Sequence, residues 1–409
     1  MKAKTKKGIK YTLLSALVAL VGTVTIAASN PDFALGRNIQ ILFNMFRELN
    51  LLYVDQIDPD EMLLDAADGM TSKLDPYTEL IPEKEMADFE IMTTGKYGGM
   101  GAMIRQKDDY VMIAQPYKNS PADKAGLVVG DLLLEVNGES IKGYEVSKVS
   151  SMLKGTPGTT LHLKVRKLLT GQEEELTFKR ERIVVSGIPY WSVIDDSIGY
   201  IVHKDFSEDC SNDIRNAVMS MKKAGIKGLI IDLRGNGGGI LQEAVKILSM
   251  FVPKGTEVVS MRGRMKELDA TFVTQSEPID TQIPVAVLIN SSSASAAEIV
   301  AGAFQDLDRG VLLGQRSFGK GLVQSTRPVG YNAYLKLTTA KYYTPSGRCI
   351  QAIDYSHRAE DGSVGTVPDS LIKEYTTKAG RKVYDGGGVM PDIRMPDNYY
   401  SRFTNVLYG

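Results

Sequence analysis

"KGLIIDLRGNGGG", residues 227–239, is a short apolar run that breaks into glycines, and "ILQEAVKILSMFV" follows it with apolar residues at helical spacing. A buried strand, a tight turn and a helix in that order make a β-α unit. The same order stands on either side. Upstream, "SIGYIVHKDF" (197–206) is a strand and "DCSNDIRNAVMSMKKAG" (209–225) a helix ending at glycine. Downstream, "PVAVLINSSSASAAEIVAGAFQDL" (284–307) is again strand, turn and helix. Strands that are apolar throughout and alternate with helices predict a mostly parallel sheet covered on both faces.

The chain before this core has a different texture. From about 88 to 172 it consists of short strands and turns: "YVMIAQPY", "DLLLEVNGESIKG" with an Asn137-Gly138 turn, and the alternating "TTLHLKVRK". "SPADKAG" is a short capped helix, and "YEVSKVSSMLKG" a longer one. From about 30 to 87 the pattern is helical. Asn30 caps, Pro31 opens the first turn, and Leu35, Ile39, Leu42, Phe43, Phe46 and Leu49 form a stripe suited to a partner helix or a second subunit. "DPDEMLLDAADGM" starts a second helix behind Asp58 or Asp60, and "KLDPYTELIP" is turn chemistry. At the extreme N-terminus Lys2, Lys4, Lys6, Lys7 and Lys10 precede an uncharged, mostly apolar run over residues 11–28. That is either a cleaved export signal or an uncleaved membrane anchor, and both place the working chain outside the cytoplasm.

Bulk composition bounds the partners. The 409 residues are 43% hydrophobic and 24% charged, with a net charge of −1, so there is no overall pull toward nucleic acid. Two distant cysteines, Cys210 and Cys349, match no metal spacing and no disulfide framework, and two free thiols are the expected outcome.

Three segments could carry chemistry. The serines at 291–295 lie where a buried strand gives way to a helix, a position that serves as a helix cap or presents a hydroxyl beside free N–H groups. "DLRGNGGG" is either a plain strand-end turn or a source of N–H groups for an anion or a carbonyl oxygen. "GQRSFGKG" (314–321) comes within one residue of a phosphate-binding P-loop, but Gly321 stands where a magnesium-binding Ser or Thr should be. The histidines His162, His203 and His357 carry no motif. If a serine here is a nucleophile, its base can be a lysine made neutral by burial, and Lys320 suits that role.

Taken in order, "GLIIDLRGNGGG", "INSSSASAAEIVAGAFQD", "SFGKGLVQ" and "YYTPSGRCIQ" resemble successive motifs of the carboxy-terminal processing peptidases, also called tail-specific proteases. "SPADKAGLVVGDLLLEVNG" is similar to their PDZ domain. The likeness spans roughly residues 30 to 395. It implies that Ser295 is the nucleophile, Lys320, twenty-five positions on, the general base, and Gln324 the residue that orients the lysine. It implies oxyanion N–H groups from Ala296 and from the glycine turn, placed here at Gly238. Two departures stand out: Ala297 replaces the third serine of the family's pattern, and Gly235 and Gly237 replace larger residues. The PDZ likeness implies a carboxylate loop at Met100, Gly101 and Ala102, with Val146, Val149 and Met152 as an apolar wall for the substrate's last side chain.

The expected fold class is therefore α+β and multidomain. Residues 1–29 are the signal or anchor, 30–87 a helical region, 88–172 the PDZ domain, 173–353 the peptidase core, and 354–409 a C-terminal segment that partly completes it. The expected function is an exported serine endopeptidase on the periplasmic or outer face of the inner membrane, cleaving proteins with apolar carboxy-terminal tails through an acyl-enzyme. No metal or cofactor is implied. An adaptor protein, membrane attachment through 11–28 and a homo-oligomer are compatible partners. A catalytically silent PDZ scaffold is the alternative, and a nucleotide hydrolase built on "GQRSFGKG" a third reading.

Overall fold

The computed structural model describes residues 31–86, 89, 95–359 and 361–396. The expected export segment lies outside the described residues. Among the described residues no helix is long and apolar enough to cross a membrane.

The chain divides into two compact units at Thr71/Ser72. The first contains α1 (Pro31–Leu52) and α2 (Pro59–Thr71). Asp58 starts α2 as expected, its side chain accepting from the Asp60 N–H at 2.8 Å and its carbonyl from the Met62 N–H at 3.0 Å. The apolar stripe of α1 is present and exposed, with Leu35, Ile39, Leu42, Phe43 and Leu49 all open to solvent.

The second unit begins with a three-residue strand, β1 (Glu79–Ile81), and then the small β module. A ribbon strand β2 (Lys96–Gly99) leads into β3 (Ala102–Lys107), β4 (Tyr110–Pro116), the one-turn helix α3 (Pro121–Lys124), β5 (Leu132–Val136), β6 (Glu139–Ser140), α4 (Val146–Leu153), β7 (Thr160–Arg166) and β8 (Glu173–Lys179). The sheet order is β3-β4-β5-β7-β8, antiparallel throughout, with β6 paired to β5. In β7, Leu161, Leu163 and Val165 point inward and alternate with exposed or half-exposed neighbours, the period-two pattern of "TLHLKVR" made physical. The module does not end at 172 as expected. That boundary falls inside the β7–β8 hairpin, whose second strand sends Leu176 and Phe178 onto the same core.

β9 (Glu181–Val184) pairs with β2 and carries the chain out of the module. The core follows as β10 (Tyr190–Ile194), β11 (Ile198–Val202), α5 (Cys210–Lys223), β12 (Gly228–Asp232), α6 (Leu241–Leu248), β13 (Glu257–Gly263), β14 (Ala270–Val273), β15 (Val285–Ile289), α7 (Ala296–Asp306), β16 (Val311–Gly314), β17 (Leu322–Gly330) and β18 (Ala333–Tyr343). The main sheet runs β10-β11-β12-β15-β16, and Ile393–Arg394 adds its sixth strand. β10 is antiparallel and the remaining neighbours are parallel. The described part of the C-terminal segment thus adds an edge strand to the core sheet. A second, antiparallel sheet has the order β1-β18-β13-β14, with β17 also on β18. The helical region expected to reach 87 is therefore interrupted after Thr71, because "ELI" pairs with Tyr334–Lys336 of β18 and belongs to the peptidase core; a short 3-10 turn, Glu83–Glu85, follows it.

α7 touches β16 of one sheet and β13 of the other and is buried along its whole length. Its sequence, "AAEIVAGAFQD", permits this: small residues let both sheets approach, and a Cβ on Gly302 would come within 2.8 Å of Thr344. Both cysteines are free, Cys210 buried and Cys349 half-buried.

Candidate active site

Ser295 is the residue at which β15 turns into α7. It occupies the N-cap with φ 56° and ψ −117°, a conformation non-glycine residues rarely adopt, and is 9% exposed. Several bonds hold it in that strained geometry. Ser293 donates its hydroxyl to the Leu233 carbonyl at 2.8 Å, and the Ala294 N–H donates to the Asn236 carbonyl at 2.9 Å. The Gly235 N–H donates to Asn290 Oδ1 at 3.0 Å. The serine turn and the glycine turn are thus one structure built on the ends of two adjacent parallel strands.

Glu298, at the third position of α7, is fully buried. Its Oε2 accepts from the Ser295 N–H at 2.9 Å and from the Lys320 N–H at 2.8 Å. Its Oε1 accepts from the Gly319 N–H at 2.7 Å and from the Ser317 hydroxyl. Burial pushes its carboxyl above the usual range, and these four donors pull the other way. One carboxylate therefore fastens the loop of Ser295 to the loop of Lys320. The S-x-x-E spacing of a capping box was the signal for it in the sequence.

"SFGKG" is not a P-loop, since it leads into strand β17 rather than a helix. Its glycines answer to packing: Gly319 has φ +88°, and a Cβ there would meet Ala352 at 2.3 Å. Lys320 is half-buried. Burial, then the Lys336 ammonium, holds its amine below the usual lysine range, while Asp75 and Glu298 oppose that. Among the described residues no hydrogen bond joins Lys320 Nζ to Ser295 Oγ. Nζ stands instead over the ring of Tyr77, 4.1 Å from its centroid. Gln324 lies on β17 beside a register shift and donates Nε2 to Thr338 Oγ1 at 3.1 Å; among the described residues no hydrogen bond joins it to the lysine.

Of the expected oxyanion donors, Ala296 is the first residue of α7, where an N–H has no partner within the helix. Gly238 packs directly on the serine: a Cβ at its position would lie 2.7 Å from Ser295 Cβ and 3.0 Å from Ala296 N. Its own N–H donates to Asn236 Oδ1 at 2.8 Å, so it is engaged in this state. His203 is fully buried beside Asn236, which donates Nδ2 to its carbonyl at 2.8 Å, and does not reach the serine by any hydrogen bond.

In the β module, β3 is an edge strand and α4 packs against it. Met100 is buried, its carbonyl accepting from the Ala122 N–H at 2.8 Å. The Gly101 carbonyl accepts from the Ser120 hydroxyl at 2.7 Å, and Ala102 begins β3. Val149, expected in the apolar wall, is wholly inside the module's core, because it lies on the face of α4 turned toward the sheet. Val146 and Met152, expected beside it, are half-buried and pack against the same core.

Comparison with known proteins supplies the family. The profile of peptidase family S41 matches residues 197–369, and that of the PDZ domain residues 112–167. The carboxy-terminal-processing protease of Bartonella bacilliformis is 31% identical over 366 residues, covering 88% of this chain and 80% of that protein. The chain belongs to the carboxy-terminal-processing proteases.

A probable CtpA-like serine protease of Staphylococcus aureus strain N315 is 33% identical over 349 residues, covering 84% of this chain and 69% of its own length. Among solved structures, the photosystem II D1 C-terminal processing protease aligns over 86% of both chains at 24% identity, with a TM-score of 0.47. This carboxy-terminal-processing protease is a serine-type peptidase with a PDZ domain.

Proposed function

We propose that this protease is an exported endopeptidase that captures an apolar carboxy-terminal tail in its PDZ groove and cuts with a Ser295–Lys320 dyad. The observation that carries the reading is Glu298. A single buried carboxylate accepts from the backbone N–H groups of both Ser295 and Lys320, drawing together two residues far apart in sequence.

In the proposed reaction Ser295 Oγ bonds to the scissile carbonyl carbon as its proton passes to neutral Lys320. Ala296 N–H, with Gly238 N–H once released from Asn236, receives the oxyanion. The C–N bond breaks, the lysine's proton leaves with the amine, and an acyl-enzyme remains. Water, losing a proton to Lys320, then bonds to the acyl carbon; the C–Oγ bond breaks, Lys320 returns that proton to Ser295, and the new carboxyl end is released. Gln324 orients the lysine in this working arrangement. The structure with Nζ on Tyr77 and Gln324 on Thr338 is read as its resting form.

The edge of β3 offers unpaired backbone groups to an extended peptide, and the turn at Met100, Gly101 and Ala102 takes its terminal carboxylate. The lysine block and apolar run of residues 1–29 support work on the periplasmic or outer face of the inner membrane, anchored or released, with an adaptor and a second copy of the chain as further partners. The test is cleavage of an apolar-tailed substrate, with serine-directed covalent labelling, by wild type, Ser295→Ala and Lys320→Ala. Both variants lose turnover, and Ser295→Ala also loses the label. Full proteolysis by either would refute the dyad.

A further inference from the structure

The turn "KLDPYTELIP" has no part in the dyad as described, yet it sits against it. Asp75 folds the turn, accepting from the Tyr77 N–H at 2.9 Å and from the Thr78 hydroxyl at 3.1 Å. Thr78 Oγ1 in turn accepts from the Thr338 N–H at 3.1 Å, which fixes the turn to β18. Tyr355 meets the Tyr77 ring edge to face, with centroids 6.3 Å apart and planes at 86°, and so holds the orientation of its face. That face carries Lys320 Nζ at 4.1 Å.

We propose that Tyr77 is a positioning residue for Lys320, its ring serving as the seat for the lysine ammonium when the amine is not engaged with Ser295. A cation is attracted to an aromatic face, whereas a neutral amine gains little there. The ring therefore holds the protonated lysine, and loss of the proton frees the amine to swing to the serine. The same turn governs the second partner, because Thr338, bonded to Thr78, also accepts from Gln324. Turn, lysine and glutamine make one parked arrangement. This inference rests on the dyad reading.

The charged groups facing Lys320 come from several elements. Asp75 on the turn and Glu298 on α7 favour its protonated form, and Lys336 on β18 disfavours it, although Lys336 is itself paired with Glu79 at 2.7 Å. Tyr77 is the aromatic member of this set. Burial raises its phenol well above the usual range, so the ring stays neutral throughout the working pH.

The experiment is the pH profile of kcat/KM on an apolar-tailed peptide, using the full chain. Activity rises with pH as the lysine loses its proton, so the acid limb reports Lys320. Tyr77→Leu removes the seat and moves that limb to lower pH by about half a unit to one and a half units. Tyr77→Phe keeps the ring and leaves the limb in place. Where Tyr77→Leu does not fold, a series of progressively fluorinated phenylalanines at position 77 weakens the ring's negative face without changing its shape, and the limb falls step by step. A flat fluorine series, or a limb displaced as far by Tyr77→Phe as by Tyr77→Leu, overturns the proposal while Lys320→Ala remains inactive. An active Lys320→Ala enzyme overturns the dyad reading instead.

Discussion

Replacing Glu298 by Gln keeps the shape of the side chain and removes half of what it does. The carboxylate accepts four hydrogen bonds, two on each oxygen. An amide has a single acceptor oxygen, so one pair of donors faces an NH2 group. In the better orientation the oxygen keeps the Ser295 and Lys320 N–H groups, and Ser317 turns its hydroxyl to accept. The Gly319 N–H is left without a partner in a dry site. One orphaned buried donor costs about 1–3 kcal/mol, and the remaining bonds lose their charge assistance. Relief from burying a charge offsets part of this, since burial already pushes the Glu298 carboxyl up.

A net destabilisation of about 2–3 kcal/mol follows, or roughly 4–12 °C in Tm for a domain of this size. The catalytic effect is larger in proportion. A shift of about 1 Å between the two loops costs on the order of 100-fold in rate. It falls on kcat rather than KM, because the proposed peptide-binding edge of β3 lies in a different module. The assay is kcat and KM on a tailed peptide together with a thermal melt. Wild-type kcat at a lowered Tm would reduce Glu298 to a structural residue, and wild-type values of both would refute the reasoning outright.

Other expectations follow from the same geometry. Gly238→Ala places a methyl 2.7 Å from Ser295 Cβ at a φ of +102° that alanine resists, so kcat/KM drops by on the order of 100-fold or more, with intact peptide binding by the PDZ domain measured as a control. Burial holds the His203 imidazole down at about 4 from its ordinary 6.5. With the folded value depressed, the unfolded chain binds the proton first. Stability present above pH 6.5 is thus lost as pH falls toward 4, by roughly 3 kcal/mol. Urea midpoints of His203→Leu between those pH values change less than those of wild type, and parallel curves would show that His203 does not titrate this way.

Much of the architecture was legible because it is local. Unbroken apolar runs such as "GLIID" and "VAVLI" announce strands buried on both faces, and "TLHLKVR" announces a half-exposed one. The Ser295 turn and the Lys320 loop stood out as motifs for the same reason. Errors arose where a segment serves an element distant in sequence. "ELI" reads as the tail of a helical region until its partner strand, Tyr334–Lys336, is known. "EEELTFK" follows a turn that resembled a module boundary, and only its pairing with β7 keeps it inside the module. Val149 lies on the helix expected to wall the peptide site, but which face of that helix meets the sheet is decided by packing.

By itself the sequence determined the order of the elements, the family, and which residues are chemically able to attack and to take a proton. The tertiary structure alone decided where those groups stand: Glu298 between the two loops, Nζ of Lys320 on Tyr77, Gln324 on Thr338 and the Gly238 N–H on Asn236. The division has a physical cause. Backbone preference and hydrophobic periodicity act over a few residues and can be read along the chain. The protonation and position of a lysine depend on burial and on charges and rings brought close from Asp75, Tyr77, Glu298 and Lys336, which only folding assembles.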